Sequence, residues 1–159
     1  MPRRLQFEQD AYVAYCDADT EFVCGRLKRE LQERRGVRLL IKDLPANAAA
    51  TRFYQLPGDN VALKMLEHID LCWKVILVLT PALTRDHMAG FMTRAVLGSI
   101  TDRMPCRVLL LCVGVRHVPE LTSVQALLET VPESQVVYLP HCGQRDPRLW
   151  DNMAQIILQ

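Results

Sequence analysis

The chain has 159 residues, 50% of them hydrophobic and 23% charged, which suits one folded domain and excludes a disordered chain. Lys and Arg total 19 against 18 Asp and Glu, a formal net charge of +1. That balance argues against general nucleic-acid binding and against a polybasic membrane anchor, and it leaves copies of the chain little reason to repel one another.

The opening residues, Met-Pro-Arg-Arg-Leu-Gln-Phe-Glu, lack the apolar stretch of a secretion signal. Ala11-Tyr-Val-Ala-Tyr15 is short, aromatic and β-branched, and predicts a first strand. Asp17 and Asp19 follow as candidate helix N-caps. Phe22, Val23, Leu27 and Leu31 then share one helical face, opposite Arg26, Lys28, Arg29 and Glu33. Arg34-Arg35-Gly36 predicts the helix stop, with two cations in the last turn and a glycine suited to a left-handed conformation. Val37-Arg-Leu-Leu-Ile41 predicts the second strand.

Residues 42–58 carry Pro45, three consecutive alanines and Pro57-Gly58. Loops of that length in compact domains are usually functional or disordered, and Ala46 to Arg52 has the composition for an extra helical turn. A helix is predicted from Asp59 to Leu71, with Ala62, Leu66 and Ile69 inward. Lys74-Val-Ile-Leu-Val-Leu-Thr80 is a continuous apolar run, the mark of a strand buried on both faces of a parallel sheet. After Pro81, the residues Met88, Phe91, Met92, Ala95 and Ser99 form a helical stripe. Arg107 to Val113 predicts a second doubly buried strand, Leu121 to Glu129 a weaker helix and Gln135 to Leu139 a short fifth strand. Asp146-Pro147 then opens a last helix lined by Leu149, Trp150, Met153, Ile156 and Ile157.

Strand and helix thus alternate throughout. This predicts one α/β domain over residues 1–159, with its core at about 8–158. The expected architecture is a doubly wound, five-stranded parallel sheet in the flavodoxin-like order 2-1-3-4-5, with right-handed crossovers and helices on both faces.

Ligands of such sheets bind outside the carboxyl ends of the strands, so the residues there discriminate between functions. The chain has no G-x-x-x-x-G-K-[ST] loop, and Cys16-Asp-Ala-Asp19 after the first strand lacks the glycines of a dinucleotide fingerprint. A phosphoacceptor receiver domain requires an Asp ending strand three and a Lys ending strand five, where Thr80 and Leu139-Pro140 stand. His68, His87, His117 and His141 are scattered, and His141-Cys142 is the only His/Cys neighbour pair, so no metal site and no cofactor are expected. The six cysteines have no C-x-x-C spacing, and Cys16, Cys72 and Cys112 lie in or beside apolar runs. They read as reduced thiols of a cytoplasmic protein. Apolar runs such as Val75–Leu79 fall far short of the ~20 residues of a membrane helix, so no direct membrane insertion is expected.

Four segments, taken in order, resemble the Toll/interleukin receptor (TIR) domain over nearly the full chain, closest to the animal Toll-receptor and myeloid-differentiation-adaptor group. Phe7 to Cys16 is similar to the first box, (F/Y)DAF(I/V)SY. Ile41-Lys42-Asp43, followed by Leu56-Pro57-Gly58, is similar to the second box, RDxxPG. Trp73 to Pro81 is similar to the strand that ends in Leu-Ser, and Leu149-Trp150 to the aromatic third box. There are departures: Lys42 stands for Arg, Leu149 for Phe, and an insertion at 45–55 interrupts the second box.

The resemblance implies a signalling module of innate-immune Toll-type pathways, partnered by other TIR domains, either its own copies or Toll-type receptors and adaptors. It implies docking through the BB loop, here Lys42, Asp43, Leu44, Phe53, Tyr54, Leu56, Pro57, Gly58, Asp59 and Asn60. Phe53, Tyr54 and Leu56 serve either as exposed anchors or as groups folded back on the domain. Met88, Phe91 and Arg94, after strand three, form a second candidate surface. Some TIR domains cleave NAD with a Glu in a W-x-x-x-E pattern on that helix. With Met88 in place of the Trp, the Glu position falls on Met92, which can neither stabilise developing positive charge nor act as base. Asp86 substitutes only in a shifted register. No catalytic residue is therefore expected. An NAD glycohydrolase and an inhibitory TIR-only decoy are the alternatives. Finally, Arg26, Lys28, Arg29, Arg34 and Arg35 predict a basic first helix, set apart from Asp17, Asp19, Asp43 and Asp59 near the strand carboxyl ends.

Overall fold

The computed structural model describes residues 7–15, 17–41, 69, 71–81, 107–114, 131, 133–139 and 147–159. Five parallel strands form one sheet: β1 (Gln9–Ala14), β2 (Leu39–Leu40), β3 (Cys72–Leu79), β4 (Val108–Val113) and β5 (Val136–Leu139). Their order is β2-β1-β3-β4-β5, the flavodoxin-like one expected among the doubly wound arrangements that the alternation of elements allows.

The central strands owe their place to composition. Every residue of β3 and of β4 is buried, so both sheet faces are covered along them. Lys74 is the exception in kind: it is 2% exposed, and its ammonium lies 5.6 Å from the centroid of the Trp73 ring. β1 starts at Gln9, earlier than the apolar run suggests. Its polar first residues are held by backbone bonds, Gln9 N–H donating to Leu71 O at 3.3 Å and Asp10 N–H to Arg38 O at 2.9 Å. β2 is an edge strand of two residues, in register Ala11 to Leu39 and Tyr12 to Leu40.

The first helix, α1, runs through Thr20–Phe22, Val23–Leu27 and Arg29–Glu33, after a tight turn at Asp17–Asp19. Its last two pieces are widened, with backbone bonds closing over five residues instead of four. The sequence supplies a reason. Val23, Leu27 and Leu31 stand four apart, and at about 100° per residue an ordinary helix overshoots a full turn by about 40° at each such step. Widening lowers the rotation per residue and keeps all three on the sheet, where each is 0% exposed. The predicted stop is present: Gly36 has φ +70°, and Val37 N–H reaches back to Leu31 O at 2.9 Å.

The last helix, α2 (Pro147–Leu158), begins with the proline expected at a first helical position. Trp150, Met153, Ala154, Ile156 and Ile157 face inward. Both helices close over one sheet face, in a single cluster that includes Ala11, Val13 and Tyr15 of the first strand region, Ile76 and Val78 of β3, and Leu109 and Leu111 of β4. The helices expected over 59–71, 88–99 and 121–129 fall wholly or largely outside the described residues.

The predicted basic face of α1 is not a uniform one. Arg34 pairs with Glu30 at 3.0 Å, Arg35 with Glu30 at 3.0 Å and with Asp151 of α2 at 2.8 Å, and Lys28 approaches Glu33 at 3.9 Å. Arg26 lies over the Trp150 ring, 5.9 Å from its centroid. Acids on the same helix and on its neighbour interleave with the bases, because α1 and α2 approach closely enough to share them.

Candidate functional site

In this strand order the chain runs from β1 outward to β2 and then returns across β1 to β3. The switch point therefore lies between the carboxyl ends of β1 and β3, where doubly wound sheets open a crevice. Tyr15, Asp19, Thr80 and Pro81 stand there among the described residues. Thr80 is 5% exposed, and its hydroxyl donates to Asp19 Oδ2 at 2.5 Å.

This contact revises the sequence expectation for Asp19. Its side chain makes no cap bond to the helix that follows. It crosses the switch point instead and ties the β1–α1 turn to the end of β3. No local pattern announces a partner 61 residues away. The only available signal is the type of residue at the two strand ends, a short acceptor after one and a hydroxyl after the other. A carboxylate is far too weak a base to ionise an alcohol, so the pair is a tie and not an activated nucleophile.

The opposite end of the strands carries a denser cluster with a different purpose. Arg107 Nε donates to Trp73 O and Nη2 to Cys72 O, both at 2.6 Å. Its guanidinium lies 4.8 Å from the Phe7 ring centroid and 5.2 Å from that of Trp73, and the two rings are themselves 5.6 Å apart. Donors spent on backbone carbonyls and faces spent on rings leave a clamp across the amino ends of β3 and β4. Burial pushes the Cys72 thiol up to about 12 and the Cys112 thiol up to about 11, so neither presents a thiolate near neutral pH. Cys24, Cys72 and Cys112 are free thiols. Among the described residues no cluster of His, Cys, Asp or Glu could hold a metal ion, and no helix is long and apolar enough to cross a membrane.

Of the residues singled out by the sequence, Lys42, Asp43, Leu44, Phe53, Tyr54, Leu56, Pro57, Gly58, Asp59 and Asn60 lie outside the described residues. So do Met88, Phe91, Arg94, Met92 and Asp86. Leu149 and Trp150 are described, and both belong to packing. Leu149 is half-buried against the core, while Trp150 is 1% exposed within it, its Nε1 without a hydrogen-bond partner among the described residues. Trp150 thus offers no side-chain surface to a partner.

No family model and no curated protein matches the sequence. Solved structures do match. A metazoan TIR-STING receptor from C. gigas, solved in complex with 2',3'-cGAMP, superposes with a TM-score of 0.64 at 19% identity, covering 96% of this chain and 40% of that one. The same receptor in a second structure gives a TM-score of 0.55 at 20% identity. The TIR domain of the Toll-related receptor TRR-2 from Hydra magnipapillata gives 0.58 at 16% identity, covering 94% of this chain and 98% of that domain. The chain therefore spans 40% of the length of the C. gigas receptor and nearly all of the Hydra domain.

Proposed function

We propose that this chain, which has the fold of a TIR domain, is a signalling interaction module that works by associating with other TIR domains. The observation that carries the reading is its likeness to the Hydra domain over 94% of this chain and 98% of that one, with no large part of either left over. The four sequence boxes, in order, support it. On this reading the chain acts in the cytoplasm, in a Toll-type innate-immune pathway, and docks through the BB loop at residues 42–60 and through the helix bearing Met88, Phe91 and Arg94. It performs no chemistry of its own, since Met92 stands where NAD-cleaving relatives carry their Glu.

The test is a binding assay between the purified chain and Toll-type receptor or adaptor TIR domains, repeated with Pro57→His. The expected result is measurable association that the substitution weakens while the circular dichroism spectrum stays unchanged. Association indifferent to Pro57→His removes the loop from the interface. Incubation with NAD gives the complementary check: sustained nicotinamide release, abolished by Asp86→Ala, replaces the interaction module with an enzyme.

A further inference from the structure

Two ion pairs of the α1 region join residues five apart. Lys28 Nζ lies 3.9 Å from Glu33 Oε1, and Arg35 Nη1 lies 3.0 Å from Glu30 Oε2. On an ordinary α-helix, surface neighbours stand three or four apart, and a residue five on has rotated away. These pairs therefore belong to the widened form, in which backbone bonds also close over five residues, as from Arg34 N–H to Arg29 O at 3.0 Å.

The same charges contain a second set of pairs at the ordinary spacing. Arg29 stands four residues before Glu33, and Arg26 four before Glu30. Neither pair is made: Arg29 is exposed with no ion pair among the described residues, and Arg26 lies over Trp150 instead. The inner face is doubled as well. Val23, Leu27 and Leu31 meet the sheet in the widened form, whereas Cys24, Leu27 and Leu31 have the three-then-four spacing of an α-helical face. Cys24 is already half-buried against the core. The backbone stands between the two forms. Lys28 N–H is shared by Gly25 O and Val23 O, three and five residues back, on either side of the α-helical acceptor at Cys24. Gly25, with open space where a Cβ would be, leaves that joint unhindered.

The start of α2 bears on this choice through two cations. Arg35, while paired with Glu30, donates from Nε to Asp151 Oδ1 at 2.8 Å and from Nη2 to Pro147 O at 3.2 Å. Arg26 is kept from Glu30 by its place over the Trp150 ring. Both contacts favour the widened form. We infer that α1 is a two-register helix whose widened register is held by the start of α2, and that loss of those contacts lets it tighten into an ordinary α-helix. Tightening brings Cys24 toward the sheet in place of Val23, and turns Arg29 to Glu33 and Arg26 to Glu30. A displacement at Asp151 is thereby converted into a new pattern of charge along α1. Two packings of one sequence that differ by little free energy are the usual basis of such a switch, and helix register shifts run in microseconds to milliseconds. The device lies within one chain, so it stands whether or not residues 42–60 dock.

Nuclear magnetic relaxation dispersion on the ¹⁵N-labelled whole chain tests this, read at the α1 amides and at Trp150 Nε1–H. In wild type, residues 23–33 and the Trp150 indole exchange with a minor state at one common rate. Lys28→Ala removes a pair of the widened register, and Asp151→Asn loosens the hold of α2 on Arg35. Each raises the minor population by about 1.5- to 2-fold, while Arg29→Ala, which removes a pair of the tight register, lowers it by as much. Lys28→Ala and Arg29→Ala raise helix propensity alike, so opposite responses isolate the charge pairs. Unchanged circular dichroism establishes that the three variants are folded. Flat profiles along α1 overturn the inference. So does a minor population that moves in the same direction for Lys28→Ala and Arg29→Ala, as simple fraying would, or one indifferent to Asp151→Asn.

Discussion

Asp10 and Arg38 hold each other through both side chain and backbone. The Asp10 carboxylate is 0% exposed and takes the Arg38 backbone N–H at 2.9 Å on one oxygen and Nη2 at 3.0 Å on the other. Asp10 N–H in turn donates to Arg38 O at 2.9 Å. The pair fixes β1 against the start of β2. Removing the guanidinium takes the charged donor from a buried carboxylate that keeps the Arg38 backbone N–H. Arg38→Ala is therefore expected to cost about 2 kcal/mol, below the 3–5 kcal/mol of a fully orphaned buried charge. Urea unfolding measures it, and adding Asp10→Asn to that variant should recover part of the loss, since the buried charge is then gone.

Trp150 separates packing from docking. A tryptophan that is 1% exposed and in the same core cluster as Leu27, Leu31 and Met153 contributes through burial. Trp150→Ala should lower stability by about 3–5 kcal/mol, while Trp150→Phe, which keeps an aromatic ring in the site, should lose less. The check is thermal unfolding beside a TIR-binding assay. Binding per folded molecule should stay constant, with any lost signal tracking the folded fraction. Reduced binding by a fully folded Trp150→Phe chain would contradict the packing role.

The buried thiols set an alkaline limit. Cys72 is held up at about 12 and Cys112 at about 11, both chiefly by burial. Unfolded thiols titrate near 8.5, so above that pH the unfolded chain releases protons that the folded chain keeps. The unfolded state then binds fewer protons, and stability falls as pH rises. The contribution is complete below about pH 8.5 and is lost toward pH 11–12, at about 1.4 kcal/mol per pH unit for each thiol. Unfolding free energies from pH 8 to pH 10.5 should decline less steeply for Cys72→Ala/Cys112→Ala than for wild type. Of the three described thiols, Cys24, which is only half-buried, should be alkylated first at pH 8.

Which features were legible in the sequence follows the range of the interactions behind them. Lys74 to Leu79 and Val108 to Val113 announce central strands because a strand covered on both faces needs apolar residues at every position, not at alternate ones. Gly36 announces the end of α1 because a left-handed residue has a local chemical cause. Partners far along the chain leave no such mark. Asp19 reads as a cap and is in fact bonded to Thr80. The cations of α1 read as a basic face, yet Arg35 is balanced by Asp151, 116 residues on. β1 begins at Gln9 and not at the first apolar residue, because Arg38 and Leu71 supply acceptors from other elements. Trp150 was legible as the third box, but its burial depends on the meeting of α1 and α2 over the sheet.

Gly25 lies within α1 and Gly36 at its stop, and the two should respond to the same substitution with opposite signs. At Gly36, φ is +70°, a conformation in which a Cβ crowds the following carbonyl oxygen. Gly36→Ala is expected to destabilise the chain by about 1–2 kcal/mol even though open space surrounds the position. At Gly25 the backbone is helical and the space is also open, so alanine removes only the excess freedom of the unfolded chain. Gly25→Ala should stabilise by about 0.5–1 kcal/mol. Thermal unfolding measures both.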